Sequence, residues 1–272
     1  QAGPTASGHA VNGNPDIVLG SASLTPGATI DIVNVNSAES VINWTPVDQS
    51  GTDAINFLPE GNTLQFRGDS AGYTVLNRIL PTDSSRAIRF DGIVQGRAFD
   101  GAPTPTLQQT GNIWFYSPGG IIAGAGSVFD VGSLVLTANN IDFSDGSLLG
   151  PSQEIRFRGV TDSLSSVVLE GATPTLAAAS IDADNFFADD SYVAIVAPRV
   201  EQAGSINVNG SVALVAAEQA TLTINNNNLF VCAAGSVRVS ETTFTGQGGW
   251  NYWASRMFDG CRIAGSFANH LV

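Results

Sequence analysis

Lysine is missing from all 272 residues: the eleven cations are arginines, set against 24 acids, for a formal charge of −13 with only 13% charged residues. Recognition of phosphate backbones and anionic lipid rests on clustered cations, so this composition argues against nucleic acid as a partner. No run of 18 apolar residues occurs, and no segment reads as a membrane-spanning helix. Histidine is limited to His9 and His270, near the two ends, and there is no Ser-His-Asp grouping, CxxC, HExxH or phosphate-cradling glycine loop. We therefore expect no catalytic residue, no metal and no cofactor. Two cysteines, Cys232 and Cys261, permit a single intramolecular bridge. In an oxidising compartment it would contribute on the order of 3–4 kcal/mol, and two free buried thiols are the alternative. The chain opens at Gln1-Ala2 with neither a positive nor an apolar leader, as expected of an exported chain whose signal has been removed.

What the sequence does contain is alternation. With 43% hydrophobic residues it can bury a substantial core. Short runs alternate apolar and polar residues and end in Gly, Pro, Asn or Asp: Thr29 to Val33, Val41 to Trp44, Ile55 to Leu58, Leu64 to Arg67, Ile113 to Tyr116 and Val128 to Val131. Between the last two lies Ser117-Pro118-Gly119-Gly120. Pro118 presets one angle of a tight corner there, and both glycines are expected to take positive φ. Amphipathic helix signals are weak throughout.

Internal repetition then decides between all-β architectures. Gly126 to Leu134 reappears, read without a gap, as Gly204 to Val212, with a shorter echo at Gly235 to Val239. Val193-Ala194-Ile195-Val196-Ala197 returns as Val212-Ala213-Leu214-Val215-Ala216. A short strand, a corner and a return after roughly twenty residues describe a coil of a parallel β-helix, whose rungs stack about 4.8 Å apart. The fold expected is all-β: a right-handed parallel β-helix of about ten coils with short extra-helical strands and an N-terminal cap. Residues 1–241 form the β-helix, with an extended arm over 1–21 that begins to pair near Ile17 to Leu19. Residues 242–272, rich in aromatics, form a cover or the start of further coils. Asn139-Asn140 and Asn225 to Asn228 are placed at corners, where asparagine tolerates left-handed backbone, and 162–173 and 183–190 are excursions from the coils.

Three stretches resemble one known family. Gly111-Asn112-Ile113-Trp114-Phe115, Pro118, Gly120-Ile121, Gly124, Gly126 and Asp130 to Leu134 fall in register with a segment of the amino-terminal domain of two-partner-secreted exoproteins, the filamentous-haemagglutinin group. Val75-Leu76-Asn77-Arg78-Ile79 followed by Ser85, Ile88 and Gly92-Ile93 is the second match, and Tyr192 through Pro198 to Leu222 the third. The sequence departs from the family's Asn-Pro-Asn-Gly, lacking both amides at Ser117-Pro118-Gly119-Gly120. The resemblance implies the secretion domain of a large Gram-negative surface protein, an adhesin. Such a protein is recognised by the periplasmic POTRA repeats of an outer-membrane TpsB-type transporter, folds outside the cell, and meets a host or cell-surface receptor or glycan there. Asn77, Arg78, Ser117, Pro118, Gly119, Gly120 and Ile121 are the candidate site: corner residues that meet the transporter or shape the folding nucleus.

Two other classes stay open, a carbohydrate-binding or carbohydrate-active β-helix and a self-associating fibre or surface-layer subunit. Asp189-Asp190 would be the acids of a hydrolase, but neighbours on a strand face opposite ways. Arg156 and Arg158 share a face, for sugar acids or a salt bridge to Glu154. Asp182-Ala183-Asp184-Asn185 opens like a calcium loop, yet Phe187 and Val193 stand where glycine and the bidentate acid belong. Trp44 reads as a core cap or a partner patch.

Overall fold

The computed structural model describes residues 8–69, 71–188, 191–225, 228–234 and 262–264, and among these there is no helix. Two leading strands, β1 (Gly13–Leu19) and β2 (Ala22–Thr25), precede the coils. The first coil contains β3 (Ile30–Val35), β4 (Glu39–Pro46) and β5 (Ile55–Leu58); the second β6 (Thr63–Gly68), β7 (Thr74–Ile79) and β8 (Ile88–Phe90). The third holds β9 (Ile93–Phe99), a hairpin partner β10 (Leu107–Gln109), β11 (Asn112–Tyr116) and β12 (Gly120–Ala123). In the fourth, β13 (Val128–Val131) and β14 (Ser133–Thr137) are separated from β17 (Ser166–Leu169) by β15 (Asn140–Ile141) and β16 (Glu154–Arg158). The fifth has β18 (Ser180–Ala183), β19 (Ser191–Ala197) and β20 (Arg199–Gln202); a sixth begins with β21 (Ser205–Val208) and β22 (Gly210–Ala216). Beyond it lie β23 (Gln219–Asn225), β24 (Asn228–Ala234) and β25 (Arg262–Ala264).

Stacking these coils gives three sheets around a core. Sheet 1 runs β2-β3-β6-β9-β13-β18-β21, sheet 2 β1-β4-β7-β11-β14-β19-β22 and sheet 3 β5-β8-β12-β17-β20. From β3 onward neighbours along these paths are parallel, so the molecule is a right-handed parallel β-helix. The described residues make five coils and part of a sixth, fewer than the ten expected, because loops and an external strap consume chain between rungs.

Register explains where the repeat reading succeeds and where it slips. β19 pairs β22 with Val193 opposite Val212 and Ala197 opposite Ala216, the pairing that the second repeat implies. The gapless alignment of Gly126 to Leu134 with Gly204 to Val212 is off by one in its first half. Phe129 stacks through Ile181 on Ile206, not on Asn207, and the corner before Val212 takes up the extra residue. A one-residue slip exchanges inside for outside, and here it would put an exposed asparagine on a fully buried phenylalanine.

Antiparallel pairing closes the N-terminal end. β1 pairs β4 from Gly13 opposite Pro46, well before the expected Ile17, and β2 pairs β3. Asp31, fully buried at the end of an inward ladder, accepts from the amides of Val11 (3.2 Å) and Gly27 (2.8 Å) and so ties down the entering chain.

Sheet 2 is buried on both sides. Inward residues such as Ile42, Val75, Ile113, Leu134 and Ile195 join the main core. The outward set, with Leu76, Trp114, Val135 and Ala194, packs against Ile155, Phe157 and Leu222 of an external antiparallel sheet, β15-β16-β23-β24-β25. Strands apolar on both faces read as continuous hydrophobic runs, which accounts for the wholly buried β14 and β19. The true excursion is therefore 140–158. Of the two expected ones, 162–173 contains the rung β17 and 183–188 is the turn after β18, while Asp189 and Asp190 lie outside the described residues.

Candidate functional site

Asn77 is not at a corner. It lies inside β7, fully buried, opposite Ile42 on one side and Phe115 on the other, so it interrupts an otherwise apolar inward ladder. Its carboxamide is satisfied by two neighbouring coils: Oδ1 accepts from Trp44 Nε1 at 3.0 Å and Nδ2 donates to the Trp114 carbonyl at 3.2 Å. Trp44 is thereby settled as core, at 0% exposure. A buried polar group that can be paired in only one arrangement disfavours every slipped register, since slippage leaves it unpaired in an apolar medium.

Arg78 points the other way, into the seam between sheet 2 and the external sheet. Its guanidinium lies 5.8 Å from the Tyr116 ring centroid and 5.5 Å from that of Phe143, donating to Asn43 Oδ1 (3.1 Å) and Asn140 Oδ1 (3.4 Å). Burial lowers its pKa, and the nearby Tyr116 opposes that shift. Cation–π contact compensates a half-buried guanidinium that, among the described residues, forms no ion pair, and the result is a clamp holding the start of the strap.

The corner at 117–120 is wedged between the coils below and above. Ser117 is fully buried, its amide donating to the Thr137 carbonyl (3.2 Å), and the Gly120 amide closes the turn on the Ser117 carbonyl (3.1 Å). Ser165 Oγ donates to the Pro118 carbonyl at 2.7 Å. Gly120 has φ +105°, as expected, whereas Gly119 does not take positive φ. Glycine is needed at 119 for space: a Cβ there would sit 2.1 Å from the Arg86 carbonyl oxygen, and one at 120 would sit 2.3 Å from that of Ser166. Ile121 continues into β12 between Ile88 and Val167. Asn139 stands at the bend between β14 and β15, as expected, without left-handed backbone; it is buried and donates to the Ala217 carbonyl at 2.9 Å.

Two supporting residues carried no sequence signal. Arg86, in a polar stretch, is 4% exposed and donates to the Asp53 carbonyl (2.8 Å) and Asp48 Oδ2 (3.2 Å), which fixes the backbone under Gly119. Tyr73, beside the Val75-Leu76-Asn77-Arg78 match, donates to the Phe66 carbonyl and accepts from the Arg97 amide at 3.1 Å, and burial pushes its phenol pKa up.

The remaining candidates disperse. Arg156 pairs with Asp145 at 2.7 Å rather than Glu154, and Asp182 accepts from Asn207 Nδ2. Among the described residues no group of three His, Cys, Asp or Glu could hold a metal. Of the expected Cys232–Cys261 pair, Cys261 lies outside the described residues.

The residues of the candidate site thus converge on one thing, the alignment of coils two to four in a capped, strapped parallel β-helix. No family model matches the sequence, and no curated protein does. The fold is similar to that of the crystal structure of the HMW1 secretion domain from Haemophilus influenzae, with a TM-score of 0.59 at 18% identity over 83% of this chain. The match covers 49% of that chain, so this chain spans about half of the structure it resembles.

Proposed function

We propose that this chain is the secretion domain of a two-partner-type exported protein, non-enzymatic, delivered through an outer-membrane TpsB-type transporter and carrying an adhesin to the cell surface. The observation that carries this reading is the fold shared with the HMW1 secretion domain over 83% of the chain. The physical features agree with it. Low charge and at most one disulfide suit threading in extended form, and coil-on-coil pairing gives folding a direction once the first coils close. The direct test joins a periplasmic signal and a reporter to the chain and co-expresses it with a TpsB-type transporter. Reporter should reach the medium only when the transporter is present; retention in its presence, or release without it, would sink the proposal.

Within that role, Asn77, Arg78 and residues 117–121 serve the folding nucleus rather than a transporter contact, because their functional groups are turned to neighbouring coils and the seam. Asn77→Ala and Gly120→Val should therefore impair export and in-vitro refolding together. Normal refolding with lost export would assign them to transporter recognition instead.

A further inference from the structure

The outer faces of the coils are unequal. Sheet 2 is covered by the external sheet, whereas the outer face of sheet 1 carries a ladder of amides and carboxylates stacked rung on rung: Gln65, Gln95, Asp130, Asp182 and Asn207. Members of the ladder bond to one another along the helix axis, Gln65 Nε2 to Gln95 Oε1 and Asn207 Nδ2 to Asp182 Oδ1, both at 3.0 Å. This orients the amides, which keep hydrogen-bonding capacity beyond these contacts, and Gln65 Oε1 also accepts from Arg67.

At the C-terminal end of the same strands stand three exposed rings, Phe99 (52%), Phe186 (60%) and Phe187 (37%). Core packing does not explain them, yet their backbone is held rigidly. The Phe186 amide donates to the Gln109 carbonyl (3.0 Å), and Asn185 Oδ1 accepts from both the Phe187 amide and Thr110 Oγ1. Gln109 Nε2 in turn ties this hairpin to the carbonyls of Val131 and Asp182, each at 3.0 Å. Solvent-exposed phenylalanines on a braced margin are a binding feature rather than loose surface.

Charge narrows the ligand. Two cations stand on this face: Arg97 is paired with Asp130 and Arg67, opposite it, donates to Gln65 Oε1, while Asp182 and Asp184 accept from Asn207 and Asn209. With three carboxylates against these two engaged arginines, the face is unfavourable to a phosphate, a sulfated sugar or an anionic lipid. Amide and carboxylate pairs suit hydroxyl groups, the negative faces of phenyl rings suit the polarised C–H groups of a pyranose ring, and the rung spacing of about 4.8 Å is close to the rise of an extended β-linked glycan.

We propose that the outer face of sheet 1, with Phe99, Phe186 and Phe187 at its margin, binds a neutral, extended polysaccharide running along the helix axis. The purified chain would be titrated calorimetrically with cellohexaose, xylohexaose and mannohexaose, with hexagalacturonate as the anionic control. At least one neutral hexamer should bind. The double substitution Phe186→Ala/Phe187→Ala should weaken it about tenfold or more with unchanged circular dichroism, and Phe186→Trp should retain it. Asp182→Ala should weaken binding without unfolding, since the side chain faces outward. Binding by none of the neutral hexamers, equal binding by the alanine variant, or equal or tighter binding of hexagalacturonate would each overturn the proposal. None of these outcomes depends on export.

Discussion

The coils near the N-terminus and those near the C-terminus enclose different cores. In the first four, aromatic rings touch edge to face, Trp44 on Phe57 (5.5 Å between centroids), Phe57 on Phe90 (5.7 Å) and Phe90 on Phe115 (4.9 Å), with Phe129 tilted against Phe90 (5.6 Å). In the fifth and sixth coils the corresponding space holds Ile181, Ala183, Val193, Ile195, Ala197 and Val200, with Ile206 and Leu214 alongside. A ring buries more area than an aliphatic chain and adds geometric preference, and Asn77 adds a pairing that can be satisfied in only one register. The early coils therefore specify the arrangement, and the later ones extend it with interchangeable apolar residues whose stability depends on the rung below.

This contrast is broken or sharpened most strongly at Phe90, which touches three other rings. Phe90→Ala should destabilise the domain by about 3–5 kcal/mol, read from the denaturant midpoint. Ile195→Ala, the equivalent truncation in the fifth coil, should cost about 2–3 kcal/mol, because neighbouring alanines leave the site freer to collapse. If Ile195→Ala costs as much as Phe90→Ala, the two regions are energetically alike and the distinction fails. Asn77→Ala ranks next, at about 1–3 kcal/mol, since it leaves the Trp44 indole N–H buried without an acceptor. Its refolding rate should fall in proportion, as expected of a residue in the nucleus; a change confined to unfolding would place the nucleus elsewhere.

These assignments also show what could be read from the residues and what could not. Period-two runs and the nineteen-residue return of Val193 to Ala197 were enough for a parallel β-helix, because each rung repeats the demand of the one beneath it. The slip at Phe129 arose because sequence identity favours a gapless match, while the structure answers to burial on the inner face. Asn77 reads as a turn residue from its own propensity, and only its neighbours in space, Trp44 from the first coil and Trp114 from the third, make it a buried strand residue. The strap was misplaced for a similar reason. β16 pairs with β23 from Glu154 opposite Thr223 to Arg158 opposite Gln219, a contact between distant segments that no local pattern announces. Gly119 and Gly120 were legible as a corner, but the need for space at Gly119 is set by Arg86 on another coil.

The smallest effect lies within the aromatic coils, along sheet 3. Arg89, on β8, donates to both oxygens of Glu170, just beyond β17, at 2.7 and 2.8 Å, passing over the intervening coil. That hydrogen bonding, opposed by partial burial, lowers the Glu170 pKa below its ordinary value of 4.5. A carboxylate with a depressed folded-state pKa contributes stability that is present above 4.5 and lost as the pH falls through the folded value. Asp91, which Arg89 also contacts, works in the opposite sense: burial raises its pKa, and its protonation on acidification favours the folded state. Glu170→Gln should accordingly be less stable than the parent at pH 7, by under about 1 kcal/mol for so accessible a pair. Denaturation repeated at successively lower pH, from 4.5 downward, should bring the two proteins together as the parent's Glu170 takes up its proton. A difference unchanged down the pH series would mean that the bridge acts through packing rather than charge, and that the second and fourth coils are coupled only through their shared core.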